Sequence, residues 1–472
     1  MRSEKVAQYR RKEHRRVLYI VGFVILCLAL SVYSLSVSKF GVSMSDVFDS
    51  IANHLTGNVP ERGTGYQYYL WMLDRVIMED NLPRTVAGVA VGATLAICGA
   101  MMQSITRNPL TDPYTIGISS AALFGVAISI CYHVCIIPFF SGTSASIVNA
   151  FVFAIVPASV IIFVSTFKKM SSTMMVLVGI GMMYMFSAFT TFMKFNAEAE
   201  ALREIYEWSL GTLSKTDSGA VLPLALALVM MLFFAMAVAN KINVMSTGDN
   251  MAKSLGVNPT GLRILCFMVM SVATAVCVCF TGSIGFVGLV APHIARLFVG
   301  SDNKILVPTS AVLGALLILV SDIVVRSIPG ALPVGTITAL IGSPLFIYFL
   351  YRQRRTRRSE GRGERAERCP PPALSQCLNI SAEAFPSTTS TTPKHPSFAG
   401  PGLTKSVPFR LTTPTASWMW PDRARMGRYS STILFMAVLP TLWPEGIWSR
   451  MPYDGAWVIR IMPSDAFFLR PS

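Results

Sequence analysis

Charged residues are scarce in this sequence of 472 residues. Asp, Glu, Lys and Arg make up only 14% of the chain, whereas 52% is hydrophobic and the mean hydropathy is +0.53. The hydrophobic residues of the first 353 positions are grouped into many long apolar stretches, which exclude a water-soluble fold for this part of the chain. The alternation that marks barrel strands is also absent, and only helices or closed barrels satisfy the backbone in lipid. The sequence therefore predicts an all-α, polytopic membrane protein.

The apolar stretches number ten, and most have the length of about 17 to 25 residues that a helix needs to cross the hydrocarbon core. We place them at 17–37, 82–104, 113–132, 147–167, 173–193, 219–240, 263–281, 284–299, 306–328 and 333–351. The eighth is short and contains Pro292, His293 and Arg296, a composition typical of half-length helices shielded by protein. The sequence thus predicts a ten-helix domain over residues 17–353.

Lysine and arginine are unevenly divided between the two sides. With the N-terminus inside, the inner loops and termini carry about 20 of them and the outer loops about eight. The positive-inside rule predicts a basic, cytoplasmic N-terminus over residues 1–16, and an even number of spans returns the C-terminus to the cytoplasm. A signal peptide is the alternative for residues 1–40, but the apolar run Val17–Val37 is too long for the hydrophobic region of a signal peptide.

Cysteine, at nine positions, gives no disulfide framework, because seven of the nine lie in or beside apolar spans. Cys131 and Cys135 flank His133, but this spacing matches no common zinc pattern. We therefore predict no metal site and no bound cofactor.

Nucleotide-binding loops and catalytic constellations are missing as well. The glycine-rich segment Gly282–Arg296 lacks phosphate-loop spacing and the Lys-Ser/Thr pair. The spans contain no paired nucleophile and base. These absences exclude an ATPase or an intramembrane enzyme, and nothing indicates a nucleic-acid partner.

The chain changes character near Arg354. Residues 354–472 hold 15 of the 28 prolines and five of the seven tryptophans, without helical or strand periodicity. The segment is interpreted either as a disordered cytoplasmic extension or as an out-of-frame translation past a lost stop codon. Its high tryptophan content without a packing pattern favours the second. A basic tail that binds the anionic inner leaflet is a further alternative.

Two inner loops carry the strongest local motifs. In the turn 107–113, Asp112 is placed to cap the following helix, which leaves Asn108 and Leu110 free to line a constriction. The loop 248–257 predicts a short amphipathic helix that ends at Gly256. This helix is either a docking element for a soluble partner or a plain connector.

The outer ends of two spans carry basic residues. Asp322 and Arg326 are spaced i, i+4 and can pair along one helix face. Arg84 and Arg326 are expected at the outer surface, either as anchors for an acidic partner or as residues that mark the membrane boundary.

These motifs, in this order, resemble the FecCD-type permeases of bacterial ATP-driven importers for iron chelates, haem and cobalamin. The matching blocks are Leu82-Pro-Arg84, Gly99-Ala-Met-Met-Gln103, Arg107-Asn-Pro-Leu-Thr-Asp-Pro113, Ala252-Lys-Ser-Leu-Gly-Val257, Gly285-Phe-Val-Gly-Leu-Val-Ala-Pro-His-Ile-Ala-Arg296, Asp322, Leu332-Pro-Val-Gly335 and Ile341-Gly-Ser-Pro-Leu345. The resemblance implies ten helices per subunit and two permease subunits, identical or different, in the bacterial cytoplasmic membrane. It also implies two ABC ATPase subunits on the cytoplasmic side and a substrate-binding protein outside.

The resemblance further implies roles for individual residues. Arg84 and Arg326 would meet carboxylates of the binding protein. The ATPase coupling loop would comprise Asp249, Ala252, Leu255 and Gly256, and the inner gate would comprise Asn108, Leu110, Ser172 and Thr173.

The sequence departs from the family pattern at two outer positions. Asn81 stands where the family often has a second arginine, and Ala331 where it commonly has glutamate. Nearby Arg75 is a candidate to replace the missing arginine.

The function implied is that of a permease subunit that moves an iron chelate, a siderophore or haem, into the cytoplasm by alternating access. Cobalamin is the less favoured cargo, and ATP hydrolysis would belong to a partner subunit. The alternative is an ion-coupled secondary transporter of a small molecule. It would require an acid or base deep in the bilayer, and the spans offer few ionisable groups near their midplane.

Truncation after Arg358 tests the interpretation of the tail. We expect the shortened protein to insert, dimerise and transport like the full chain, because the motif-bearing spans all precede this point. Uptake measured at matched membrane levels checks this, and loss of uptake at normal levels would contradict it.

Overall fold

The chain folds into helices joined by short loops. The computed structural model describes residues 2–38, 40–167, 171–328, 332–348 and 351, and no strand occurs among them. The whole predicted tail 354–472 and Ala331 lie outside these residues, so the interpretation of the tail and the proposed domain boundaries stay predictions.

The α-helices are α1 Arg2–Ser36, α2 Met44–Thr56, α3 Tyr66–Arg75, α4 Leu82–Thr106, α5 Ile118–Tyr132, α6 Thr143–Phe167, α7 Ser172–Phe195, α8 Ala199–Ser209, α9 Ser218–Ser246, α10 Asp249–Ser254, α11 Pro259–Thr281, α12 Val287–Val299, α13 Asn303–Ser327 and α14 Val334–Tyr348. A π-helical segment, Val76–Asn81, joins α3 to α4 without a break, and a 3₁₀ turn, Pro113–Ile116, precedes α5.

Ten helices of the described chain contain an apolar segment. Seven are long enough to cross a membrane, and three shorter ones, α5, α12 and α14, have 10 to 17 residues. These ten correspond one to one with the predicted spans and confirm the all-α membrane fold. The shortness of α12 was expected from its proline, histidine and arginine.

Helix α4 lies at the centre of the bundle. Nearly all its residues from Ala87 to Met102 are buried, and it packs against α9, α11, α12 and α13. Glycines make this possible: a Cβ at Gly92 would collide with the backbone of Gly314 on α13, and one at Gly99 with the backbone of Gly288 on α12. The two contacts bring helix backbones together as small residues do in membrane proteins.

A proline inside α12 is accommodated by a side chain of α4. Pro292 has no N–H group to donate to the carbonyl of Gly288, four residues earlier. The Gln103 Nε2 group donates to that carbonyl instead, at 3.1 Å. Its Oε1 atom accepts a hydrogen bond from Arg296. A neighbouring helix thus satisfies the backbone group that the proline frees.

The loop 38–81 is compact and partly helical. Side chains of α1, α2, α3 and the π-helical segment form a small apolar core around Val47 and Ile77. Asp74 of α3 is buried and accepts a hydrogen bond from Ser50 at 2.7 Å, and it pairs with His54 at 3.0 Å. Polar and apolar contacts therefore fix α2 against α3.

Substitution of Gly92 by alanine tests the central helix contact. We expect Gly92→Ala to destabilise the protein by about 1 to 3 kcal/mol, because the added methyl group must push α4 away from α13. Thermal unfolding in detergent measures this. The matched control is Gly181→Ala on α7, where a Cβ meets open space, and equal melting temperatures for the two variants would contradict the contact.

Candidate functional site

Helix α10 is a six-residue helix at the end of the bundle where α4 finishes. Its first residue, Asp249, binds two arginines: Oδ1 accepts from Arg107 Nη2 at 2.8 Å and from Arg263 Nη2 at 2.6 Å, and Oδ2 accepts from Arg263 Nη1 at 2.9 Å. The hydrogen bonds from Arg263 are the main reason that the pKa of Asp249 lies below its usual value. One carboxylate therefore joins α10 to the end of α4 and to the start of α11.

Arg263 is enclosed by protein. Its side chain is only 2% exposed, and its Nε atom donates to the carbonyl of Ile105, in the last turn of α4, at 3.3 Å. Carbonyls in the last turn of a helix lack intrahelical partners. Arg263 therefore supplies a partner to α4 and to α10 together.

The opposite side of α10 faces outward. Ala252 is fully buried, whereas Met251 is 56% exposed and Leu255 is 61% exposed. Gly256 ends the segment with φ +80°, and no atom lies within 4 Å of the position of a Cβ there. The four residues predicted for the coupling loop thus divide into an anchored pair, Asp249 and Ala252, and an uncovered pair, Leu255 and Gly256.

The predicted gate residues of the turn 107–113 are exposed. Asn108 Oδ1 accepts a hydrogen bond from the Leu110 N–H at 3.0 Å, and the Leu110 side chain is 46% exposed. Asp112 accepts from the N–H of Thr115 at 3.0 Å. It therefore caps the 3₁₀ turn that leads into α5, and α5 itself begins only at Ile118.

Ser172 and Thr173 form the first turn of α7. Ser172 is buried and Thr173 is exposed, and Ser171 caps the helix through a hydrogen bond from Met174 N. Helix α7 packs on the 3₁₀ turn through Gly179, whose missing Cβ leaves room for the Ile116 backbone. Both pairs of predicted gate residues therefore belong to segments that adjoin the same 3₁₀ turn, and their role in a gate stays a prediction.

At the other end of the bundle, Arg84 and Arg326 share one carboxylate. Arg84 donates to Asp322 Oδ1 from Nη2 at 2.6 Å and from Nε at 2.8 Å, and Arg326 approaches Oδ2 at 2.8 Å. The side chains of Arg84, Arg326 and Asp322 are 16%, 8% and 1% exposed. The predicted pairing of Asp322 with Arg326 is confirmed, but both arginines are largely buried.

Arg326 also binds the end of α1. It donates to the Val37 carbonyl at 3.1 Å, to Asn81 Oδ1 at 3.2 Å and to the Ser34 hydroxyl. Asn81 in turn donates to the Leu35 carbonyl at 2.8 Å and is buried. The asparagine at the position of the family's second arginine is thus part of this buried network.

Local sequence spacing could not reveal most of these contacts. The 238 residues that separate Arg84 from Asp322 carry no signal that the two meet. Asp249 and Arg263 are 14 residues apart on two helices, α10 and α11, so their contact also depends on how these helices pack. No group of three or more His, Cys, Asp or Glu side chains is placed to hold a metal ion within the described residues.

Comparison with known proteins identifies the family. Residues 26–352 match the model of the FecCD transport family. The chain is 31% identical over 359 residues to the iron(3+)-hydroxamate import system permease protein FhuB of Bacillus subtilis, covering 75% of this chain and 88% of FhuB. It is 31% identical over 348 residues to the Fe(3+)-citrate import system permease protein YfmD of the same organism, covering 72% of this chain and 96% of YfmD.

A solved structure has the same fold. It is described as an ABC transporter of the metal-chelate type in an inward-facing conformation, and it aligns with a TM-score of 0.60 and 27% identity over 71% of this chain and 98% of its own. The segment matched by the family model includes the C-terminal part of α1, the other nine apolar helices and both clusters of charged residues. The chain therefore belongs to the FecCD transport family.

Proposed function

We propose that this chain is the membrane-spanning permease subunit of an ABC importer that carries an iron chelate into the cytoplasm. The observation that carries the proposal is α10, a short helix fixed to the bundle by Asp249 and Ala252 that leaves Met251 and Leu255 uncovered. An anchored helix with exposed apolar side chains is the form of a docking element for a soluble partner.

The cargo is proposed from the relatives. Two of them are named for the import of iron(3+) hydroxamate and iron(3+) citrate, and another from Yersinia pestis is a hemin transport system permease protein. A relative from Halobacterium salinarum is named for cobalamin import. The chemistry common to most of these names is a chelated iron, so a siderophore or haem is the proposed cargo.

The orientation follows from charge. The end of the bundle that bears α10 also carries the basic N-terminal segment, and Lys241, Lys253 and Lys304 lie there too. The positive-inside rule puts this end in the cytoplasm, where ATPase subunits would meet Leu255 and Gly256. The end with Arg84 and Arg326 then faces the substrate-binding protein, and a second permease subunit completes the path through the bilayer.

Transport would proceed by alternating access. Partners that bind the outward- and inward-open states with different affinities shift the population between them. Movement of α10 would open or close the turn with Asn108 and Leu110 and the start of α7 with Ser172 and Thr173. This chain would supply the path, and the ATPase partner would supply ATP hydrolysis.

Docking at the outer end would involve competition with Asp322. A carboxylate of the binding protein that reaches for Arg84 or Arg326 meets guanidinium groups already paired within the chain. Arg84, the more exposed of the two, is the more accessible. Arg75 is 55% exposed and paired with Glu79 at 2.5 Å, so it is available as an additional contact.

Reconstitution of the importer tests the proposed function. We expect uptake of a ferric chelate into proteoliposomes that hold this chain, its co-purified ATPase and the binding protein, and we expect uptake to stop when ATP hydrolysis is blocked by vanadate. Uptake driven by an ion gradient without ATP would instead identify a secondary transporter.

Substitution of Leu255 by aspartate tests the docking role of α10. We expect Leu255→Asp to insert normally but to lose the ATPase during purification, because a charge replaces an exposed apolar contact. Leu55→Asp, at an 84% exposed leucine of α2 at the other end, is the control and should retain the ATPase. ATPase recovered with Leu255→Asp at the yield of the control would make the loop a plain connector.

Replacement of Arg84 by glutamine tests the outer docking role. Charge reversal at Arg84 is unsuitable, because it would place a second carboxylate beside that of the buried Asp322. We expect Arg84→Gln to weaken binding-protein affinity by no more than about fivefold, since partly exposed pairs contribute about 0.2 to 1 kcal/mol. The loss should shrink at high salt.

Surface-binding measurements at two ionic strengths check this expectation. The control is Arg203→Gln, which breaks an exposed pair with Glu207 on α8. Unchanged affinity and unchanged salt dependence for Arg84→Gln would mean that Arg84 only holds the helix ends together.

A further inference from the structure

We propose that Asp249, Arg107 and Arg263 form a mechanical link that carries movement of α10 to the gate turn 107–113. The proposal rests on the proposed function and adds to it the residues through which the ATPase partner would act on the gate. In it, Arg107 and Arg263 are positioning residues that touch neither cargo nor nucleotide.

The link begins with the small size of α10. A helix of six residues has little stability of its own. Its place is therefore set by its contacts with the bundle. The polar part of those contacts is the Asp249 carboxylate, which accepts three hydrogen bonds of 2.6 to 2.9 Å from two arginines.

The proposed link has two arms, one through Arg263 and one through Arg107, and the arm through Arg263 is stiff. Its planar guanidinium binds Asp249 with both terminal nitrogens and the Ile105 carbonyl with Nε. A bidentate pair fixes direction as well as distance. Because the side chain is 2% exposed, protein packs around it and leaves it little room to change rotamer. Displacement of Asp249 is thus passed to the last turn of α4.

The arm through Arg107 leads directly into the gate turn. Arg107 ends α4 in the left-handed conformation, with φ 53°, which is uncommon for residues other than glycine and asparagine. Its side chain reaches Asp249, and its backbone continues into Asn108. A shift of Asp249 therefore acts on the residue at which the chain turns from α4 into the gate.

The two arms reach the same short stretch of chain. Ile105 and Arg107 are two residues apart, and Asn108 and Leu110 follow at once. Displacement of α10 would therefore act on the start of the turn 107–113 through both Arg107 and Arg263. The predicted coupling loop and the turn 107–113, which lie more than 130 residues apart in the sequence, are thus joined by the ion pair of Asp249 with Arg107.

The deciding variant is Arg107→Asn. Asparagine tolerates the left-handed conformation, so the end of α4 is kept while the side chain that reaches Asp249 is lost. We expect the full complex of permease, ATPase and binding protein to assemble in proteoliposomes. We expect ferric-chelate uptake per ATP hydrolysed to fall by about fivefold or more, the lower range of coupling between sites.

A double-mutant cycle separates the link from a merely structural role. Asp249→Asn should lower the same ratio, and adding Arg107→Asn to it should cause little further loss, because the first substitution already breaks the ion pair that the second removes. Independent, additive losses would overturn the link. Arg203→Gln, in an exposed pair at the other end, is the control and should leave the ratio unchanged.

The possible outcomes are distinct. An unchanged ratio of uptake to hydrolysis in assembled Arg107→Asn overturns the proposal. Because Arg107 is 40% exposed, this variant is expected to fold even if Asp249→Asn, which deprives the buried Arg263 of a charge, does not. Failure of the wild-type complex to couple uptake to ATP would instead refute the proposed function.

Discussion

Hydrocarbon offers no hydrogen-bond partners, and this constraint decides where the chain places its few charges. Arg84 and Arg326 share Asp322 at one end of the bundle, and Arg107 and Arg263 share Asp249 at the other. In both clusters two guanidinium groups meet one carboxylate. Each cluster joins elements that are distant in sequence, so the same contacts compensate part of the buried charge and hold the helix ends together.

Between the two clusters, close packing of helix backbones holds the bundle together. The backbones of α4, α12 and α13 meet at glycines, where no side chain intervenes. Contacts of this kind allow little adjustment, because any added atom separates the helices. Movement during transport is therefore expected at the ends of α4, where its partners are side chains, and less at its middle, where its partners are backbones.

The sequence predicted the helices well because hydropathy reports directly on the solvent around each segment. It also placed Asp322 beside Arg326, since helical spacing is local. It could not predict that Arg84 binds the same carboxylate, or that Asn81 connects Arg326 to α1, because these contacts depend on how distant helices are arranged.

The hydrogen bond from Gln103 to Gly288 has a consequence for the history of the family. Gln103 is needed there because Pro292 removes the backbone donor that would otherwise reach the Gly288 carbonyl. A change of Pro292 to any other residue would restore that donor, and the Nε2 group of Gln103 would no longer be needed at this carbonyl. The two positions, on different helices and 189 residues apart, should therefore covary among relatives, with loss of the proline permitting loss of the glutamine.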